Sequence, residues 1–227
     1  MSSNLKKIPV YFMPGMAANP SIFEYIQLDE NIFDVNYLSW KVPTKNESLQ
    51  AYAQRMCAAI VDEQPVLIGV SFGGILVQEM AKIITVKQII IISSVKSFNE
   101  LPARMKFAKQ TKAYKILPTG VVNYMDQVAR LPLGNTVKKR IQLYKKYMFV
   151  SDKYYLDWSI KNIVCWNQKT PMENIIHIHG DQDTVFPIEY IENCIVVPGG
   201  THIMIINKYR WFNKHLPNFI QNGKIKE

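Results

Sequence analysis

The sequence predicts an α/β fold: a mostly parallel sheet of about six strands, helices on both faces, and a helical insertion. Three observations lead there. Short, predominantly apolar runs such as 66–70 (VLIGV) and 88–93 (QIIIIS) read as strands buried on both faces. Segments with helical spacing alternate with them. That alternation stops after Ser94, and strand character returns only at 174–179 (NIIHIH). The expected division is therefore a core of residues 1–96 and 171–227, with residues 97–170 inserted between the fourth and fifth strands. A 227-residue chain buries enough apolar surface to fold without a disulfide or a metal.

Taken in order, residues 8–13 (IPVYFM) form an apolar strand that runs into a turn at Pro14-Gly15. Asn19-Pro20-Ser21 opens a helix expected to reach Leu28, with proline in its first turn. Residues 34–39 (DVNYLS) alternate in polarity and suit an edge strand. Leu49, Tyr52, Ala53, Met56, Ala59 and Ile60 keep helical spacing, which predicts an amphipathic helix from Asn46 or Glu47 to Asp62. After the strand at 66–70 and Ser71-Phe72-Gly73-Gly74, a helix is expected from Ile75 to Ile84. The insertion holds basic helices and Tyr144, Tyr147, Tyr154 and Tyr155. Leu117-Pro118 and Leu131-Pro132 cut it into helix-sized pieces. A short helix near 187–191, a strand at 193–197 (NCIVV) and a last helix from just after His202 to Ile220, interrupted at Pro217, complete the series.

Lys and Arg number 27 against 18 Asp and Glu, and the whole excess lies between Lys96 and Glu173, where 15 basic residues face 5 acidic ones. This segment reads either as a solvated helical surface or as a basic lip that draws in an anionic substrate. No recognition motif or aromatic-basic platform accompanies the charge, so nucleic acid is not an expected partner. Cys57, Cys165 and Cys194 form neither a zinc pattern nor a disulfide framework, and isolated thiols suit a reducing compartment. The N-terminal run is too short before Pro14 to be a signal peptide, and no apolar stretch approaches the length of a membrane span. A cytoplasmic globular protein is expected.

The chemistry concentrates in four places. Gly69-Val70-Ser71-Phe72-Gly73 is a G-x-S-x-G, a pattern that chance alone places in roughly one chain in ten of this length. Its position gives it weight: it follows a strand and opens a helix, as a nucleophile elbow requires. The elbow strains the serine backbone, and side chains two residues before or after it would clash, which explains Gly69 and Gly73. A serine hydroxyl needs a base, and the base needs a carboxylate. Of the four histidines, His202 follows a strand in Gly199-Gly200-Thr201-His202 and is the good candidate. His177 suits a core position, His179 a turn with Gly180, and His215 the surface of the last helix. For the carboxylate, Asp181 and Asp183 in His179-Gly180-Asp181-Gln182-Asp183 are the candidates; Asp183 is favoured, with Asp181 as turn or support. The backbone N–H of Phe72 and that of Met16, after the flexible Gly15, are the expected oxyanion-hole donors. The Met16 side chain can also pack into the pocket. Met105, Phe107, Tyr114, Met125, Met148 and Phe149 are either acyl-pocket lining or ordinary core.

Together these four motifs, in the order Ser71…Asp183…His202 with the Phe12-Met13-Pro14-Gly15-Met16 loop before them, resemble the α/β-hydrolase superfamily over residues 8–220. The resemblance implies that residues 97–170 are a cap over the active site and that no cofactor or metal is required. Pro14 stands where the family's oxyanion loop usually has histidine, and the sheet should begin at the family's third strand. A serine at position 71 argues against the family's dehalogenases and epoxide hydrolases, whose nucleophile is aspartate. The expected activity is acyl hydrolysis, carboxylesterase-type, on a small or medium ester. Thioesters, an anionic substrate, a C–C lyase or acyltransferase reaction, and a silent ligand-binding protein are the alternatives.

Overall fold

In the computed structural model, residues 6–117, 119, 146–147 and 152–223 are described. The Leu131-Pro132 division, Tyr144, Met125, Met148 and Phe149 lie outside them. Six strands form one wholly parallel sheet: β1 (Ile8–Met13), β2 (Phe33–Tyr37), β3 (Val66–Val70), β4 (Gln88–Ile92), β5 (Ile175–Gly180) and β6 (Ile195–Val197). Their order across the sheet is β2-β1-β3-β4-β5-β6. β2 is an edge strand, as its alternating polarity predicts.

Strand residues alternate between two cores, because successive side chains point to opposite faces. Tyr11, Met13, Leu67, Ile89 and Ile91 join one apolar cluster with α1 (Leu49–Cys57), α2 (Phe72–Ala81) and α4 (Lys153–Cys165). Val10, Phe12, Ile68, Ile90 and Ile178 join the other, against α5 (Met204–Asn207) and α6 (Tyr209–Asn222). Within the predicted insertion, α3 (Ala103–Thr111) buries none of its residues, whereas α4 buries Tyr155, Leu156, Trp158, Ile163 and Val164.

Several predicted helices differ in the structure. The helix expected to run to Leu28 is a single 3-10 turn, Pro20–Phe23, capped by the Asn19 side chain. Asn213 on α6 takes the backbone beyond it, accepting from the Gln27 N–H and donating to the Tyr25 carbonyl, so the chain turns toward β2. α1 stops at Cys57 rather than Asp62. There the Tyr11 hydroxyl accepts from the Val61 N–H and donates to the Asp62 carboxylate, 2.6 Å away, which pulls the segment toward β1. α2 begins at Phe72, three residues before the expected start, because the elbow leaves the serine directly at the helix N-terminus. The last helical stretch breaks at Lys208 and continues through Pro217. Phe212, Leu216, Phe219 and Ile220 bury one stripe on both sides of that proline, and this packing outweighs the one backbone bond it removes.

The topology fixes where a site can form. β1 leads to β2 on one side and β3 leads to β4 on the other, so their carboxyl ends open a crevice between diverging connections. The loops after β1, β3, β5 and β6 all leave from that edge. They carry Gly15-Met16, Ser71, Asp183 and His202 respectively.

Candidate active site

Ser71 sits between β3 and α2 with φ 54° and ψ −121°, a left-handed strand-to-helix corner that a non-glycine residue adopts only under constraint. Three bonds hold it. The Ser71 N–H donates to the Ile92 carbonyl at 2.9 Å, the Gly74 N–H donates to the Ser71 carbonyl at 2.9 Å, and the Ser94 hydroxyl donates to that same carbonyl at 2.7 Å. The flanking glycines are required by space. A Cβ at Gly69 would lie 2.4 Å from the Gly73 carbonyl oxygen, and one at Gly73 would lie 2.4 Å from that of Pro14. The loop after β1 is equally near: a Cβ at Gly15 would stand 3.5 Å from the Ser71 Cβ.

His202 arrives from the far end of the sheet. Its loop presses on the end of β5, where a Cβ at Gly180 would lie 2.2 Å from the Gly200 carbonyl oxygen. Asp181 anchors it by accepting from the Gly199 N–H at 2.7 Å, so this carboxylate ties two loops together. His202 Nε2 then lies 2.9 Å from Ser71 Oγ, and its Nδ1 lies 2.8 Å from Asp183 Oδ2. The carboxylate accepts a proton only from Nδ1–H, which leaves Nε2 as the acceptor that faces the hydroxyl. The structure thus brings the three predicted side chains into one hydrogen-bonded line.

Asp183 is fully buried at its side chain while His202 keeps some exposure. Burial pushes the Asp183 pKa upward. The bond from His202, that ring's charge, and the N–H groups of Phe186 and Val185 on Oδ1 outweigh it and hold the pKa below the ordinary carboxylate value. The carboxylate therefore stays ionised and able to orient the imidazole. The Phe186 ring meets the His202 ring edge-on, with centroids 5.6 Å apart.

The other histidines separate clearly. His179 is not a turn residue. It lies inside β5, completely buried, and its Nε2 donates to the Phe186 carbonyl at 2.8 Å while standing 3.6 Å from Asp183 Oδ2. His177 lies on the same face of β5, with its Nε2 3.1 Å from His179 Nδ1. Because the Nε2 proton of His179 is used on Phe186, His177 is the donor between them. Burial pushes both pKa values down, that of His177 furthest, so the pair is neutral. His215 is half-buried and packs on Trp211 at 4.6 Å. Of the residues weighed as acyl-pocket lining, Met105 packs against the core, Phe107 is 63% exposed and Tyr114 is half-buried.

Three bracing residues escaped the sequence reading. Trp40 donates from Nε1 to the carbonyls of Gly15 at 2.7 Å and Pro14 at 3.2 Å, and the Tyr155 hydroxyl accepts from the Ala17 N–H at 3.0 Å. Ser94 is the third, on the Ser71 carbonyl. Each acts across at least 23 residues of sequence, so no local spacing reveals it. Among the described residues, no group of three or more His, Cys, Asp or Glu could hold a metal ion, and no helix is long and apolar enough to cross a membrane. A cleft of about 270 Å³ lined by Lys96, Glu100, Met172, Asn174 and Glu192 shares no residue with the serine cluster.

A family model matches residues 14–132, a span that holds the Gly15 loop, Trp40 and the serine elbow. The chain belongs to the uncharacterised protein family UPF0227. No curated protein matches this UPF0227 member in sequence. Its fold, by contrast, has many solved relatives. BpoC from Mycobacterium tuberculosis H37Rv superposes with a TM-score of 0.70 at 14% identity, covering 96% of this chain and 94% of the other. A hydrolase from Pseudomonas aeruginosa PA01 gives 0.68 at 12% identity, covering 96% and 91%. A thermophilic esterase from Thermogutta terrifontis gives 0.67 at 13% identity, again covering 96% and 91%. This UPF0227 chain has the α/β-hydrolase fold.

Proposed function

We propose that the protein is a serine acyl hydrolase of the carboxylesterase type, acting on small or medium acyl esters. The observation that carries this reading is the continuous line Ser71 Oγ, His202 Nε2, His202 Nδ1, Asp183 Oδ2, with links of 2.9 and 2.8 Å. In this reading His202 takes the hydroxyl proton as Ser71 Oγ attacks the substrate carbonyl carbon, and Asp183 stabilises the resulting imidazolium. The carbonyl oxygen becomes an oxyanion, received by the backbone N–H groups of Met16 and Phe72. The latter begins α2, where the N–H has no partner within the helix and the helix dipole favours negative charge. The tetrahedral intermediate collapses, the carbonyl reforms, and the leaving group departs with the proton from His202. That leaves an acyl group on Ser71. Water, deprotonated by His202, attacks this ester, and the proton passes from His202 to Ser71 Oγ as the acid departs.

Residues 97–170 serve in this reading as a cap, whose excess of Lys and Arg favours substrates that carry negative charge. Thioesters undergo the same two steps and belong to the same substrate class. The test is hydrolysis of p-nitrophenyl esters from acetate to laurate by the wild type and Ser71→Ala. The reading expects turnover on short or medium chains and a fall of at least about 10³-fold in the variant. Equal turnover by both proteins would overturn it.

A further inference from the structure

The loop that carries the proposed oxyanion donor is held by a side chain outside the serine–histidine–aspartate line. A peptide group is planar and, here, trans, so its carbonyl and N–H point in opposite directions. The Met16 N–H therefore has its direction set by whatever holds the Gly15 carbonyl. Two donors hold it: the Ala18 N–H at 3.1 Å and the buried Trp40 indole at 2.7 Å. The same indole N–H also reaches the Pro14 carbonyl at 3.2 Å, so two successive peptides are fixed by one group. The Trp40 ring stacks on Phe72, centroids 4.9 Å apart and planes within 7° of parallel. Phe72 carries the other donor.

One side chain thus braces both halves of the hole. We propose that Trp40 is a positioning residue that presets the oxyanion hole: its N–H selects the Gly15–Met16 peptide orientation and its ring seats Phe72. This rests on the acyl-hydrolase reading above. Without the indole N–H, the Gly15–Met16 peptide keeps only the Ala18 bond and can rotate. Rotation would turn a carbonyl, not an N–H, toward a developing oxyanion, and that repulsion arises only as the transition state forms.

The effect therefore falls on kcat and on binding of a transition-state mimic, and spares ground-state affinity. Trp40→Phe keeps a ring against Phe72 and removes the donor. Its kcat on a p-nitrophenyl ester should fall about 10- to 100-fold, less than the roughly 10²–10³-fold typical of deleting a hole donor. The inhibition constant of an arylboronic acid should rise by the same factor, with KM within about threefold of wild type. Should Trp40→Phe fail to fold, judged by circular dichroism, 3-benzothienylalanine at position 40 replaces the N–H by sulfur in the same shape and should give the same pattern. A folded variant with wild-type kcat, or with KM and the inhibition constant rising together, overturns the proposal. Ser71→Ala measured alongside separates the two claims. If Ser71→Ala is inactive while Trp40→Phe is unimpaired, only the role of Trp40 fails. Activity that survives in Ser71→Ala, or a wild type inert to ester and boronate alike, sinks the hydrolase reading and this one with it.

Discussion

At the scale of single residues, the site depends on polar groups whose protons are assigned by their neighbours. His202 can present a bare Nε2 to Ser71 because Asp183 holds its other nitrogen, and Asp183 is ionised because two backbone N–H groups and His202 offset its burial. Behind them, the buried His177–His179 pair supplies a pH signature. Both folded pKa values lie below the ordinary 6.5, so in mildly acidic solution the unfolded chain binds protons that the folded chain refuses. Stability should therefore fall as pH drops below about 6.5. The lowered Asp183 pKa adds a further loss only at more acidic pH, near and below the ordinary 3.8. His177→Gln keeps an N–H for His179 but does not titrate. Thermal melts should show a smaller decrease in Tm from neutral pH to about pH 5 in this variant than in wild type. Parallel decreases in the two proteins would show that another group sets the acid sensitivity. The meeting of Ser71, Asp183 and His202 was readable from sequence because each sits in a short motif at a strand end. The role of His179 was not, since its partners Asp183 and Phe186 meet it only after the β5 loop folds back.

At the scale of elements, close backbone approach governs the loops at the carboxyl edge. Gly69 and Gly73 let β3, α2 and the β1 loop meet around Ser71, and Gly180 and Gly200 do the same for the loop of His202. A methyl group at position 73 would meet the Pro14 and Met13 carbonyl oxygens at 2.4 and 2.5 Å, both of them backbone atoms that cannot rotate away. Gly73→Ala should cost about 1–3 kcal/mol of stability, a decrease in Tm of several degrees for a chain this size, and should reduce the proposed esterase activity by pushing the Pro14–Gly15 loop off Ser71. Calorimetry and the p-nitrophenyl assay check both parts; an unchanged Tm would show that the loop yields freely. The β-strands were legible to within two residues because short apolar or alternating runs bounded by turn residues favour a strand over a helix. Helix ends were less legible. The chain just past α1 and past the Pro20–Phe23 turn is held by Tyr11 and Asn213, through bonds that span 50 or more positions in sequence.

At the scale of the whole molecule, a parallel sheet splits the core into two faces, and four of its loops converge at one edge. Two sets of helices share the burial. α1, α2 and α4 cover one face, while α5, α6 and the 3-10 turn cover the other, so the site edge stands on elements fixed from both sides. Fold class could be read because strand–helix alternation is a periodic signal carried by many residues at once. The braces contributed by Trp40 and Tyr155 could not, because they depend on which surfaces the folded layers bring together. Mass spectrometry of the protein quenched in acid during turnover of p-nitrophenyl acetate looks for the proposed acyl-enzyme itself. One acetyl group should appear on the peptide that contains Ser71 and be absent in Ser71→Ala. His202 activates Ser71 as well as water, so His202→Ala should slow both the appearance and the removal of this acetyl group. Turnover with no acetyl group on Ser71 in either protein, or with the acetyl group on another residue, would contradict it.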